Sequence, residues 1–208
     1  MTNLAQRSIA GAVMILVALE AAWLGGYFLA GLAGMTACVM FYEWRRLVAG
    51  WGVIWVIAGF VYALVPALAL LWVRERGGFD LLVWVFITTW STDIGAYFAG
   101  RAIGGPRLAP SISPNKTISG LVGGMVAAGL LGGLWAWHAN LDLPFRWLAP
   151  LFALAAQGGD LFESWLKRRA GVKDSGNILP GHGGALDRLD GLVVVVTLTA
   201  LATLVVWL

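Results

Sequence analysis

Residues 8–41 form an almost unbroken apolar run in which Glu20 is the single charge. A membrane-crossing helix needs about 20 apolar residues, so this run is too long for one helix and just long enough for two, joined by a turn at Gly25-Gly26. Its continuity, with no polar break, argues against a cleaved leader. Polar punctuation then returns at intervals. Glu43, Arg45 and Arg46 read as a loop, residues 51–73 as a third span with a kink at Pro66, and residues 74–78 as a second charged loop. A fourth span starts near Leu81 and runs into Thr88-Thr89-Trp90-Ser91-Thr92-Asp93. Residues 102–119 are a Gly/Pro/Ser loop, residues 121–137 a fifth span, and residues 144–156 open a sixth that passes into Asp160. Residues 189–208 make a seventh. The pattern predicts an all-α integral membrane protein with about seven transmembrane helices, built as a single polytopic domain over residues 1–208.

Composition agrees. Hydrophobic residues make up 60% and charged residues 12%, with a mean hydropathy of +0.81, which excludes an ordinary soluble globule. The net charge of +3 therefore reflects basic loops rather than an affinity for nucleic acid. Eleven of the fourteen Lys and Arg residues fall in loops on the N-terminal side; Arg74, Arg76 and Arg146 fall on the other. The positive-inside rule then places the N-terminus in the cytoplasm. The twelve Trp residues suit interfacial belts. Cys38, alone in an apolar run, excludes an intrachain disulfide and reads as a buried thiol.

Charge gathers in residues 158–191, which hold Asp160, Glu163, Asp174, Asp187 and Asp190 beside Lys167, Arg168, Arg169, Lys173 and Arg188. A charged loop that only sets topology accounts for the basic run 167–169, but not for the acids and the His182-Gly183-Gly184 turn. Asp160, Glu163, Ser164 and Lys167 share one helical face by their spacing. Residues 170–185, rich in Gly and holding Pro180, should not be helical. Gly183 and Gly184 allow close backbone approach to a ligand, or an anion nest. Asp187 and Asp190 start the next helix on one face. Carboxylates on two facing helices suit Mg²⁺, which needs one or two and takes water and phosphate for the rest. Lys167, Lys173 and Arg188 suit phosphate oxygens.

Two further blocks carry chemistry. Asp93, Tyr97 and Arg101 fall on one helix face after a hydroxyl-rich half-turn, which points to a polar cavity inside the bundle. In Ser111-Ile112-Ser113-Pro114-Asn115-Lys116-Thr117, Pro114 fixes a turn and Lys116 and Thr117 offer phosphate donors.

The run Ser164, Leu166, Lys167, Arg168, Lys173, Asp174, Gly176, Leu179, Pro180, His182, Gly183, Gly184, Asp187, Arg188, Asp190 resembles the signature of phosphatidate cytidylyltransferases, or CDP-diacylglycerol synthases. Residues 93–101 and 111–117 look like further blocks of that family, and the resemblance spans roughly residues 93–191. Ala185 departs from it where a larger aliphatic residue is usual, and Ile118-Ser119 where a Trp-Glu pair is common. The resemblance implies residues 7–79 as N-terminal spans and 80–208 as catalytic spans with cytoplasmic loops. It implies transfer of the cytidylyl group of CTP to phosphatidate, giving CDP-diacylglycerol and pyrophosphate, in the inner cell membrane with the site facing the cytoplasm. Lys116, Lys173, His182 and Arg188 would be catalytic. Ser113, Thr117, Ser164, Lys167, Arg168, Gly183, Gly184 and Asp93 would bind substrate. Asp160, Asp187 and Asp190 would hold Mg²⁺, with a second cation left open. The implied partners are CTP, phosphatidate and membrane lipids, without nucleic acid, and a homodimer is left open. Two alternatives remain: a CTP-dependent polyprenol or lipid kinase, which has a similar acidic-basic loop, and a transporter. A transporter would normally show inverted repeats and a midplane site. A CDP-alcohol phosphotransferase would need an Asp-Gly-x-x-Ala-Arg block, which the chain lacks.

Overall fold

The computed structural model describes residues 3–176, 178 and 183–206, with backbone alone for residues 3–10. Helices α1 (Asn3–Leu24) and α2 (Gly26–Leu47) meet at Gly25, φ 64°, where the pattern of residues 8–41 predicts a turn. Glycine reaches that positive φ without a Cβ penalty. Arg74 closes the end of α1, its Nε donating to Ala22 O at 2.6 Å and its Nη2 to Trp23 O at 3.1 Å. Those carbonyls would otherwise be left open by the helix end.

Two of the expected loops are helix. Glu43, Arg45 and Arg46 lie in the last turn of α2, where the two arginines oppose the negative end of the helix dipole. Residues 74–77 continue α3 (Val53–Ile103), which passes through Pro66 and is interrupted only at Gly78, φ 73° and ψ −172°. Proline holds φ in the helical range, whereas glycine can leave it, so the break falls at the glycine. Gly78 divides α3 into arms 53–77 and 79–103. Then come β1 (Arg107–Ala109), β2 (Ser113–Thr117), α4 (Ile118–His138), α5 (Phe145–Arg169) and α6 (Leu186–Val206). With the arms counted separately, the described residues form seven helical segments. Among them α3, α4 and α6 are long and apolar enough to cross a membrane, and α1 carries a shorter apolar stretch, Gly11–Leu24.

The segment 102–119 is a hairpin rather than a plain loop. β1 pairs antiparallel with β2, Arg107 opposite Thr117 and Ala109 opposite Ser113. Thr117 then caps α4, its hydroxyl accepting from Gly120 N at 3.1 Å. Ser119 ties the hairpin to the end of α3 by donating to Gly104 O.

The second arm of α3 and α4 pack backbone to backbone. A Cβ on Gly95 would lie 2.7 Å from Gly123 O, one on Gly124 2.8 Å from Thr92 O, and one on Gly120 2.9 Å from Ala96 O. Small residues at such a crossing are how membrane helices gain contact without a hydrophobic driving force. One core layer packs Trp84 edge-on against Phe145 and Phe152. A second joins Trp44, Leu166, Leu186 and Val193, so the ends of α2 and α5 and the start of α6 meet there. The exterior is apolar: Phe28, Leu134, Trp147 and Val205 are all exposed. Cys38 is exposed too, against expectation. In a bundle whose outside faces lipid, an apolar neighbourhood does not imply burial.

Candidate active site

The C-terminal end of α2, the hairpin, the C-terminal end of α5 and the N-terminal end of α6 come together at one end of the bundle. Their centre is an acid the sequence pattern misplaces. Glu43 is fully buried, and its carboxylate accepts hydrogen bonds from Ala185 N at 3.0 Å and Leu186 N at 2.9 Å. It thus caps α6 from another helix, replacing the local Ser, Thr, Asp or Asn that usually does so. Ser175 Oγ lies 3.0 Å from Glu43 Oε2 and 2.9 Å from Asp187 Oδ2, with one hydrogen to share between the two carboxylates.

Asp187 is engaged on both oxygens. Oδ1 meets Lys167 Nζ at 2.6 Å, while Oδ2 accepts from Ser175 N at 2.9 Å and Gly184 N at 2.8 Å. Lys167 is in turn held by Glu163 at 3.0 Å and is nearly buried, so it links α5 to α6. The small residues of this turn are required by these acids. A Cβ on Gly184 would collide with Ser175 Oγ and lie 2.5 Å from Glu43 Oε2; one on Gly176 would lie 2.6 Å from Glu43 Oε1. Gly183, φ 84°, adopts a conformation that favours glycine. The backbone N–H groups of Gly184, Ala185 and Leu186 do receive anions, and these are the chain's own Asp187 and Glu43.

The hairpin delivers Lys116 to α5, where its ammonium pairs with Asp160. Ser164 Oγ donates to the other Asp160 oxygen at 3.3 Å. Asp93 lies within electrostatic reach of Asp160, Lys116 and Arg188, and Asp190 within reach of Asp160, Glu163 and Asp93. Asp190 also accepts from Gly191 N at 2.7 Å. Gly159 lets α5 approach this part of α6, since a Cβ there would lie 3.1 Å from Asp190 O. Lys116 and Asp160 are in direct contact, and Asp190, Arg188 and the exposed Asp93 stand within electrostatic reach of them, so four elements contribute charge to this region.

Several residues expected at substrate do structural work. Lys167 is neutralised by two carboxylates, Thr117 caps α4, and Arg168 donates to Val172 O at 3.0 Å and Ile112 O at 3.4 Å. Ser113 is the half-buried β2 residue opposite Ala109. Lys173 and Asp174 are exposed on the loop after α5. His182 lies outside the described residues, as do Leu179 and Pro180.

The expected trio Asp160, Asp187 and Asp190 does not converge: among the described residues no three His, Cys, Asp or Glu side chains form a group able to hold a metal ion. Asp187 is instead engaged by Lys167, Gly184 N, Ser175 N and the Ser175 hydroxyl, whose one hydrogen it shares with Glu43. Asp160 and Asp190 do suit a hard cation, and Glu163, within electrostatic reach of Asp190, has its Oε2 buried without a hydrogen-bond partner among the described residues. Two carboxylates suffice for Mg²⁺ when substrate phosphate and water complete its sphere.

Glu43 and Ser175 are the residues that sequence reasoning missed. One signal was present: an acid near a helix C-terminus opposes the dipole, so Glu43 needed another partner.

Comparison with known proteins extends beyond these blocks. Residues 46–206 match the model of the cytidylyltransferase family. The chain is similar to the phosphatidate cytidylyltransferase of Brucella suis biovar 1, at 39% identity over 95% of this chain and 92% of that one. It is 34% identical to that of Rickettsia bellii over 93% of this chain and 87% of that one. It is 46% identical to that of Bacillus subtilis over 58% of this chain and 46% of that one. With a match that takes in α3, the hairpin, α4, α5 and α6, and stops just short of Glu43, the chain belongs to the cytidylyltransferase family.

Proposed function

We infer that this chain transfers the cytidylyl group of CTP to phosphatidate, yielding CDP-diacylglycerol and pyrophosphate. The single observation that carries this reading is the polar group at the bundle end. There the hairpin sets a phosphate-binding cation, Lys116, on an acid of α5, beside Asp190 and Arg188 of α6. A soluble triphosphate and a membrane lipid phosphate can meet only where a polar site touches both cytosol and bilayer. The kinase and transporter readings gain no support from relatives named for cytidylyl transfer.

A phosphatidate oxygen attacks the α-phosphorus of CTP and pyrophosphate leaves. The chain's part is positioning and charge neutralisation, as in other phosphoryl-type transfers. Lys116 exchanges its ion pair with Asp160 for a phosphate oxygen of CTP. Arg188 offers a bidentate fork to a phosphate. Lys173, on the exposed loop, is available to the leaving pyrophosphate, and the role of His182 as a donor to a phosphate rests on its place in the motif alone. Asp160 and Asp190 would hold Mg²⁺, which supplies positive charge against the phosphates as negative charge builds up. Asp187, Glu43 and Lys167 hold the loop and the α6 start in place.

The assay uses CTP labelled at the α- or γ-phosphate, with phosphatidate and a polyprenol as competing acceptors. Label from the α-position entering phosphatidate is expected; γ-label entering polyprenol would establish the kinase instead.

The seven helical segments are read as seven spans with the charged end in the cytoplasm, supported by the concentration of Lys and Arg there. A reporter inserted in the hairpin should then lie inside, and one fused after residue 208 outside; both on one side would refute the span count.

A further inference from the structure

Behind the polar site lies a cavity of about 340 Å³ walled by α1, α2, the first arm of α3 and α6. Its walls are almost wholly apolar, with Ala18, Leu32, Ala37, Ala67 and Val196 among them, and Thr36 and Arg188 are the polar side chains of its lining. Phosphate chemistry gives no use for such a space.

The geometry of α6 connects the two regions. Residues 185, 188, 189, 192, 193 and 196 all line the cavity, and they recur at the spacing of a single helical face. Asp187 and Asp190 lie off that face, toward Lys167 and α5. The helix is therefore a partition with carboxylates on one side and the cavity on the other. Arg188 stands at the seam: it lines the cavity, and its charge reaches Asp93 in the polar group. An arginine stem can lie along apolar surface while its guanidinium stays with polar partners.

We propose that this cavity seats one acyl chain of the lipid substrate, with the lipid phosphate at Arg188. The inference rests on the phosphatidate reading above and deepens it. A cavity at bilayer depth that is apolar along all but Thr36 and Arg188 offers water few polar partners, so hydrocarbon is its stable content. CTP has no apolar part to place there. A lipid anchored by its phosphate at Arg188 has its chains beginning at the cavity mouth, and the wall from residue 188 to residue 196 runs for about 12 Å along α6. Ala185, buried and one turn before Arg188 on the same face, presents only a methyl group to the cavity. Charge complementarity thus selects an anionic lipid over any other hydrocarbon.

The test narrows the cavity from walls away from α6, with Ala37→Phe and Ala67→Phe, and compares dioleoyl with dihexanoyl phosphatidate as acceptors. Each variant should lower the ratio of kcat/KM for the long lipid over the short one by about tenfold. A ratio equal to that of wild type in both variants overturns the proposal. A second measurement uses unaltered protein, in case neither variant folds. Phosphatidate carrying a photoreactive group at its acyl end should label residues 13–40 and 189–196. Dioleoyl phosphatidate should compete for that labelling and dioleoyl phosphatidylcholine should not. Equal competition by the two lipids means bulk hydrocarbon only, and refutes a substrate site. Wild-type protein that moves no cytidylyl group to either phosphatidate refutes the activity instead, while the labelling still reads the cavity.

Discussion

Glu43→Gln isolates the tie between α2 and the start of α6. The carboxylate faces three donors: Ser175 Oγ at 3.0 Å, Ala185 N at 3.0 Å and Leu186 N at 2.9 Å. Glutamine keeps the shape and one acceptor oxygen. Its amide nitrogen must then face at least one donor, and no water reaches this fully buried position to separate them. Losing one hydrogen bond to a carboxylate costs about 1.5–3 kcal/mol, and the donor left unsatisfied adds about 1–3 kcal/mol. The expected loss is about 3–5 kcal/mol, equivalent to a fall in Tm of about 10 °C for a chain of this size. Glu20→Gln is the control, since Glu20 is exposed and its replacement should stay within about 0.5 kcal/mol. Melting curves in detergent, read beside turnover well below the lower Tm, separate two effects. Turnover of the folded Glu43→Gln protein should fall by about tenfold, because Ser175 and Asp187 lose the frame that orients them. A variant with unchanged Tm and turnover would refute the view that this buried acid organises the site.

Lys116→Ala should lower kcat/KM for CTP by about a hundredfold with only a modest fall in Tm, since Asp160, 30% exposed, regains solvent when its partner is removed; an unchanged value for CTP would make the hairpin a plain connector. Asp190→Asn should lose about two orders of magnitude in turnover and shift the Mg²⁺ dependence to higher concentration, with a modest change in Tm. Asp187→Asn should chiefly lower Tm, by the loss of its bond to Lys167, and keep the Mg²⁺ dependence of wild type. Interchanged behaviour in titrations of the two variants would return Asp187 to the metal.

The helices were legible because their signal is local. Length, apolarity and glycine breaks fix a span whatever it packs against, and α1, α2, α4 and α6 fall where the pattern puts them. The errors share one cause. Charge at 43–46 and 74–78 was read as loop, but a helix end beyond the hydrocarbon can carry charge, and Arg74 is spent on the carbonyls of α1. The hairpin is too short, at three and five residues, for alternation to show. In the site, residue types were read better than partners. Lys167 has the chemistry of a phosphate ligand, and Gly183-Gly184 that of an anion nest; what fills them is decided by Glu43, Glu163 and Asp187. The bond from Glu43 to Leu186 joins residues 143 positions apart. No window of sequence contains it.

That long-range bond explains why so much of the motif binds itself. A nucleotide and a lipid arrive from different phases, so the groups that receive them must already be fixed in space. The described residues between α5 and α6 lie in neither helix nor strand, and α6 is capped by Glu43 rather than by a neighbour in sequence. Glu43 holds both from α2, and Asp187 fastens the same turn to α5 through Lys167. Three residues further on, about 60° around the helix, Asp190 faces Asp160 and Glu163 instead. One residue back from there, Leu189 belongs to the cavity wall with Arg188. On the proposed reading, successive positions at the start of α6 serve anchoring, lipid and nucleotide in turn. A shift of α6 by a single residue would misplace all three at once, and the buried carboxylate of Glu43 is what sets its register.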